Sequence, residues 1–398
     1  MNPSYRSDTI NASISPIRDK NLYVVFLITL MAVLGVSSLA PAFPRVAEAF
    51  GIAKSTVGLL IICFTLPGIF FTPILGVVAD HYGRKRVLVP SLILFALAGG
   101  SCVFVRDFQI LLLLRFFQGM GAAALGSLNI TLIGDLFDGS RRTEAMGYNA
   151  GVLSVATAGY PFIGGLLASL AWYYPFVLPF FALPVGLIVL FGLKNPEPKQ
   201  QGQFSHYLKN VLAIFKNRQV VLYLIVNLVV FIMLYGAMVT YVPFFLAERF
   251  QASEFIIGLV LAAVSVVTGL TSSQAGRLAK RFGERHLLTI SFVFYAVAAI
   301  LIVVIPSLKA MALPVIIYGI GQGLNMPSLQ VLLTSLAPLE YRAAFMSVNG
   351  MVLRLGQTLG PLIMGIFYTL GGYTGTFLAA SILALFIFVL LLLNPGRR

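Results

Sequence analysis

Charge is what this sequence has least of. Of 398 residues, 10% are Asp, Glu, Lys or Arg and 59% are hydrophobic, whereas a soluble domain carries about 25% charged residues. So little charge cannot cover a water-facing surface, so a wholly soluble fold is excluded and part of the solvent must be lipid. Cysteine is nearly absent: Cys63 and Cys102 both sit in apolar runs. That leaves neither a disulfide framework nor a thiolate metal site, and reads as small apolar packing. His81, His206 and His286 all fall in polar connections, so no histidine cluster or catalytic triad is in view. No Gly-Lys-Ser/Thr phosphate loop occurs, which removes the usual nucleotide-driven machinery. Neither a cofactor nor a metal is expected, and an enzyme is disfavoured.

What is present is apolar length. A helix needs about 20 apolar residues to cross roughly 30 Å of hydrocarbon. Twelve such spans are read at 21–43, 55–78, 87–105, 108–135, 143–170, 173–193, 219–247, 255–276, 287–306, 310–336, 343–371 and 374–394. The first ends in Ala40-Pro41-Ala42, which imitates a signal-peptidase site. It is longer than a signal core and eleven spans follow, so a retained helix is expected.

The net charge of +14 suggests nucleic acid until its positions are examined. Of 27 Lys and Arg, five fall in one set of alternate connections: Arg45, Lys54, Arg106, Arg249 and Lys309. Arg115 and Arg354 lie inside spans, and the other twenty occupy the opposite connections and the termini. Basic residues stay on the cytoplasmic side, so both termini are expected inside, in a bacterial-type plasma membrane. Nucleic acid is not an expected partner; the surplus charge also suits anionic lipid headgroups.

Five regions follow: a tail at 1–20, a six-helix bundle at 21–193, a linker at 194–218, a second bundle at 219–394 and a short tail at 395–398. The linker holds apolar residues at Phe204, Tyr207, Leu208, Val211, Leu212 and Phe215, a helical spacing. It reads as a basic amphipathic helix on the inner leaflet or as a strap between halves.

The halves repeat at an offset of 200 in the numbering. Gly76, Gly83, Gly119, Gly121, Arg142, Met146, Asn149, Pro161 and Gly165 meet the same residue types at Gly276, Gly283, Gly319, Gly321, Arg342, Met346, Asn349, Pro361 and Gly365. One register over separated regions implies two pseudo-symmetric bundles of like orientation. The expected fold is an all-α membrane protein of twelve transmembrane helices.

The stretch GVVADHYGRKR at 76–86 gathers charge between spans two and three. Gly76 suits close helix approach, Gly83 a turn with positive φ, Asp80 a helix N-terminus, and Arg84 can pair with Asp80. With Arg86, this stretch resembles the loop 2–3 signature of the major facilitator superfamily. RFFQGMG at 115–121 is similar to the fourth-helix signature of its drug-exporter branch. Gly147, Pro161, Gly164 and Gly165 resemble its antiporter signature, with Ala156 and Tyr160 where glycine is usual. IGDLF at 133–137 also resembles a segment of the family, a likeness that places Asp135 near the loop. The resemblance implies a charge relay of Asp80, Arg84 and Asp135 that stabilises the outward-open state. It also links Arg115 and Asp135 to proton coupling and gives Gly147, Pro161, Gly164 and Gly165 a helix-packing role. In the second copy, Lys280 and Glu284 replace Asp80 and Arg84, as a reversed pair or a plain solvated loop.

Arg115 and Arg354 are costly inside a membrane and are functional candidates by default. The alternatives are a hydrogen-bond hub for Arg115 and snorkelling for Arg354. No Asp or Glu falls in mid-span by this map. Either Asp80 or Asp135 then carries a proton, or transport is not proton-coupled in the usual way. A neutral-to-positive cavity favours neutral, zwitterionic or anionic substrates. In the family, spans 1, 4, 7 and 10 line the cavity; they offer Asn129, Asn227, Tyr235, Tyr241, Gln322 and Asn325, with Gln357 one turn from Arg354 and Asn149 and Tyr160 on the fifth span. The expectation is a monomeric secondary transporter exporting small amphipathic molecules by alternating access, not driven by nucleotide, with proton antiport as the first reading of its coupling. An importer and a lipid or lysolipid flippase are the alternatives.

Overall fold

The computed structural model describes residues 15–194, 217–336 and 342–394. The linker helix expected within 194–218 and both tails therefore lie largely outside the described residues. Among those residues every element is helical. Ten segments are long and apolar enough to span: α1 (Lys20–Phe50), α2 (Lys54–Tyr82), α3 (Arg84–Phe104), α4 (Phe108–Leu136), α5 (Gly139–Leu170), α6 (Tyr174–Gly192), α7 (Arg218–Phe250), α8 (Glu254–Phe282), α9 (Glu284–Val304) and Val348–Leu393. The last belongs to Arg342–Leu393, which breaks at Gly371–Gly372, where Gly372 has φ 59°. It is therefore two spans, α11 (342–370) and α12 (373–393). α10 (Ala312–Leu336) completes the twelve; Gln322, Asn325 and Pro327 dilute its apolar character.

The spans start and stop for local reasons. The Asp107 carboxylate caps α4 by accepting the Gln109 and Ile110 amides at 2.8 and 3.0 Å. Gly83 and Gly283 turn the chain at φ 99° and 84° between α2 and α3 and between α8 and α9. These are conformations that L side chains avoid. The backbone repeat also extends beyond the matching residues. The Lys85 ammonium donates to the Leu193 carbonyl at the end of α6, and Arg285, 200 residues on, donates to the Leu391 carbonyl near the end of α12.

Each half is pinned internally by an asparagine. In the first, the Thr29 hydroxyl donates to Asn149 Oδ1 at 2.6 Å and accepts from Asn129 Nδ2 at 3.0 Å, joining α1, α5 and α4. In the second, Asn227 Nδ2 donates to Asn349 Oδ1 at 2.7 Å, joining α7 and α11. Inside a membrane such bonds hold helices together because lipid offers no alternative partner.

The halves meet along α5 with α8 and along α2 with α11. Glycine permits the first contact: a Cβ on Gly258 would lie 2.3 Å from the Pro161 carbonyl oxygen, and one on Gly165 would lie 2.5 Å from that of Glu254. Three polar contacts cross between halves among the described residues. Arg45 Nε meets Glu254 Oε1 at 2.6 Å, Lys54 pairs with Glu248, and the Thr65 and Thr358 hydroxyls lie 2.8 Å apart. All lie at mid-span or toward the end opposite the twenty basic residues. At the basic end, Gly147, Gly151, Gly276 and Gly350 have no side-chain or backbone neighbour around a would-be Cβ within 4 Å. The halves are sealed at one end and part toward the other.

Candidate functional site

The seam between the halves is where a half-buried cation with no acidic partner among the described residues sits. Arg354 projects from α11 across the seam to the other half. A Cβ on Gly68 of α2 would lie 3.1 Å from its Cδ and Nε, and one on Gly126 of α4 would lie 3.5 Å from its Nη2. Two glycines on different helices therefore make room for one guanidinium. Arg354 Nη1 donates to Gln357 Oε1 at 3.1 Å, the i, i+3 relation expected on one helix face. No carboxylate lies within ion-pair distance of it among the described residues. Tyr235 of α7 is within electrostatic range. Snorkelling does not describe this side chain, which points into the seam.

The backbone around Tyr235 departs from the α-helix. Over Met233–Tyr241 the hydrogen bonding of α7 widens into a π-helix, a feature often found at functional sites. The Thr240 hydroxyl donates to the Tyr235 carbonyl, five residues back, at 2.7 Å. Beside it, Gly236 and Gly360 bring α7 and α11 together, a Cβ on Gly236 standing 2.5 Å from the Gly360 carbonyl oxygen. Nothing in residue type announces a π turn.

The other expected cavity residues are placed elsewhere. Asn129 and Asn227 are held in the bundle-pinning bonds, as is Asn149. Gln322 Oε1 accepts from the Tyr295 hydroxyl at 2.5 Å, and Asn325 Nδ2 donates to Ser291 Oγ at 2.9 Å, both inside the second half. Tyr241 is fully buried and stacks on Tyr368 with ring centres 4.8 Å apart. Tyr160 is buried on α5. The structure thus pairs Arg354 with Gln357, places Tyr235 on the π-helical stretch of α7 that packs on α11, and leaves Asn129, Asn227, Tyr241, Gln322 and Asn325 outside that group. A polar residue in a span needs a partner, and a neighbouring helix serves as well as a ligand.

The loop 2–3 residues converge with Asp135 in the grouping that the resemblance implies. Arg84 is buried, pairs with Asp80, and its Nε lies 3.0 Å from Asp135 Oδ2. All three belong to the first half. The relay is complete in an arrangement whose seam is sealed at the end away from it. Three details differ from expectation. Asp80 pairs with Arg84 instead of capping α3, which has no side-chain cap. Gly76 has no neighbour within 4 Å of a would-be Cβ, because no helix approaches where the halves part. Arg86 is exposed. In the second copy Lys280 and Glu284 form no ion pair among those found, which leaves the solvated-loop reading.

Arg115 is buried at the junction of α1, α2 and α4. It donates to the Leu60 and Gly35 carbonyls at 3.2 and 2.8 Å and to Gln118 Oε1 at 2.7 Å, and its guanidinium lies 4.4 Å from the centre of the Phe64 ring. Its partners are backbone carbonyls and an amide, the surroundings of a hub. Of the antiporter-type residues, Gly164, Gly165 and Pro161 pack tightly, a Cβ on Gly164 falling 1.8 Å from the Ser38 carbonyl oxygen. Gly147 is exposed and packs against nothing within that range. The cross-half pairs Arg45–Glu254 and Lys54–Glu248 were not foreseen. Opposite charges at span ends were the available signal, but partners some 200 residues apart cannot be matched by spacing.

Comparison with known proteins agrees with this geometry. A family model described as Major Facilitator Superfamily matches residues 25–256 and 243–398. Multidrug resistance protein 1 of Bacillus subtilis is 25% identical over 355 residues, 88% of this chain and 90% of that protein. The bacillibactin exporter of the same organism is 26% identical over 397 residues, 92% of this chain and 95% of the other. Among solved structures, a bacterial homologue of the human lysosomal transporter Spinster, inward-facing and unoccupied, superposes with a TM-score of 0.78. It is 15% identical and covers 96% of this chain and 97% of its own.

Proposed function

The chain belongs to the Major Facilitator Superfamily, and from that premise we propose that it exports small amphipathic molecules, neutral, zwitterionic or anionic, by alternating access. It is a membrane transport protein and not an enzyme, as its relatives are. The observation that carries the substrate reading is Arg354: a cation in the seam, cradled by Gly68 and Gly126, with Gln357 hydrogen-bonded to it. A permanent positive charge there attracts anionic or polar groups and repels lipophilic cations. The relatives' names, a multidrug resistance protein and a bacillibactin exporter, support outward transport.

With the basic end in the cytoplasm, the arrangement described is open to the inside. Substrate enters between the parted ends and reaches Arg354, and the seam then opens at the Arg45–Glu254 and Lys54–Glu248 end. The Asp80–Arg84–Asp135 relay governs the reclosing of the cytoplasmic end, where Gly76 meets the other half. Proton exchange is assigned to the carboxylates of that relay, and Arg115 enters as the tie that holds α1, α2 and α4 in register.

The test is ligand-induced thermal stabilisation of purified protein by matched cationic, neutral and anionic amphiphiles. A ligand at 100 times its Kd adds about 2.7 kcal/mol to apparent stability. A hydrogen bond to a charged group contributes about 1.5–3 kcal/mol. Arg354→Gln is therefore expected to weaken anion binding by about 10- to 150-fold and, at 100 times the wild-type Kd, to cut the stabilisation from about 2.7 to about 0.3–1.4 kcal/mol. Equal stabilisation by lipophilic cations in both proteins would overturn the substrate reading.

A further inference from the structure

A second cluster of cations, apart from the seam, lines an open cavity of about 400 Å³ at the basic end. The start of α1, the start of α5 and the end of α6 form it, and its lining includes Arg18, Lys20, Arg141, Lys194, Asp19 and Asn21. Four cations thus face one carboxylate. That carboxylate is already engaged, since Asp19 Oδ1 accepts the Asn21 amide at 2.9 Å as the cap of α1. Asn21 Oδ1 in turn accepts the Lys194 amide at 2.9 Å, tying α1 to the end of α6. Glu144 on α5 is also occupied, by the Ser15 hydroxyl at 2.6 Å and the Tyr148 hydroxyl at 3.0 Å. None of the four cations forms an ion pair among the described residues.

Arg141 marks the cavity as more than a solvated basic surface. Its guanidinium lies 5.5 Å from the centre of the Phe137 ring, and its Nε is buried without a hydrogen-bond partner. A buried donor left unmade is unfavourable, and gathering like charges adds to the cost. An anion in the cavity would relieve the gathered charge through the outer guanidinium nitrogens of Arg141, which the buried Nε holds in place. The volume is within the range of small-molecule sites, and arginine's forked donors match phosphate oxygens. The site lies at the ends of spans, at headgroup depth, where basic pockets between helices take acidic lipid headgroups.

We infer that this cavity is an anion site for a phosphate group, supplied by an acidic lipid headgroup or by free phosphate. Bound there, phosphate bridges α1, α5 and α6 and stabilises the first half. The site is independent of the Arg354 reading, because it shares no residue with the seam.

The experiment measures melting temperature of the full chain in mixed micelles. Phosphatidylglycerol is compared with phosphatidylcholine, and inorganic phosphate is added separately in lipid-poor micelles. Wild type, Arg141→Gln, Lys194→Gln and the exposed basic control Arg281→Gln are compared. Phosphatidylglycerol is expected to raise the melting temperature of wild type and Arg281→Gln above the phosphatidylcholine value, with at least half of that shift lost in Arg141→Gln and in Lys194→Gln. A matching shift with inorganic phosphate supports the site and names free phosphate as sufficient. A shift with the lipid alone supports it and names the headgroup. Should Arg141→Gln fail to fold, Lys194→Gln decides. Equal shifts in wild type and the pocket variants, or no shift in the wild type, overturn the inference.

Discussion

Gly258→Ala tests whether the α5–α8 contact holds the present arrangement. The added Cβ would stand 2.3 Å from the Pro161 carbonyl oxygen, whereas ordinary contact begins near 3.4 Å. The neighbour is backbone, so the two helices must separate by about 1 Å. Overpacking of this kind costs about 1–3 kcal/mol. The contact joins the halves, so the cost falls on the sealed arrangement and not on either bundle. It shifts the balance toward the form parted at that end by roughly 5- to 150-fold. Gly164→Ala provides a contrast. Its clash is with Ser38 in the same half, so it should lower the melting temperature without favouring either arrangement. Gly159→Ala has nothing within 4 Å and should do neither. The readout is the spin-label distance between Ala49→Cys and Lys309→Cys, in a background with Cys63→Ala and Cys102→Ala. Gly258→Ala should add a longer-distance population that Gly159→Ala lacks. An unchanged distribution in a protein that melts like the wild type would refute the argument.

Two further outcomes follow from the loops. Arg84→Ala leaves Asp80 and Asp135 side by side without their shared cation; both carboxylates are partly exposed, so the loss is about 1–2 kcal/mol. It is read as a lower melting temperature, with slower turnover and preserved ligand affinity; lost affinity in a folded protein would contradict the gating role. Gly83→Ala and Gly283→Ala each force a side chain into positive φ and should cost about 1–3 kcal/mol. Melting temperatures should fall by similar amounts in the two variants, and a large difference would mean that the repeat does not extend to these turns.

The spans and the repeat were legible because lipid imposes length and hydrophobicity along the chain, and both are local properties. Gly83 was legible for a similar reason: a turn between two spans needs positive φ, and glycine supplies it. Arg354 stood out because its repeat counterpart, Ser154, carries no charge. The polar residues were harder. Asn129, Asn227, Gln322 and Asn325 look the same in sequence whether they face a ligand or a neighbouring helix. Helix rotation decides, and packing sets the rotation. Tyr241 is a related case, since its ring found Tyr368 on α11. Gly76 and Gly147 fit their signatures yet touch nothing here, because the halves part at that end. The pairs across the seam were beyond reach, since they depend on how two separately folded bundles dock.

The position of the polar contacts across the seam has a mechanical consequence. From Thr65 to the end of α2 at Tyr82 is 17 residues, about 26 Å of helix. If the Thr65–Thr358 contact acts as a fulcrum, each 10° of rocking carries the far end through about 4–5 Å. The asparagine pins keep each half stiff, so little of that leverage is lost to bending within a bundle.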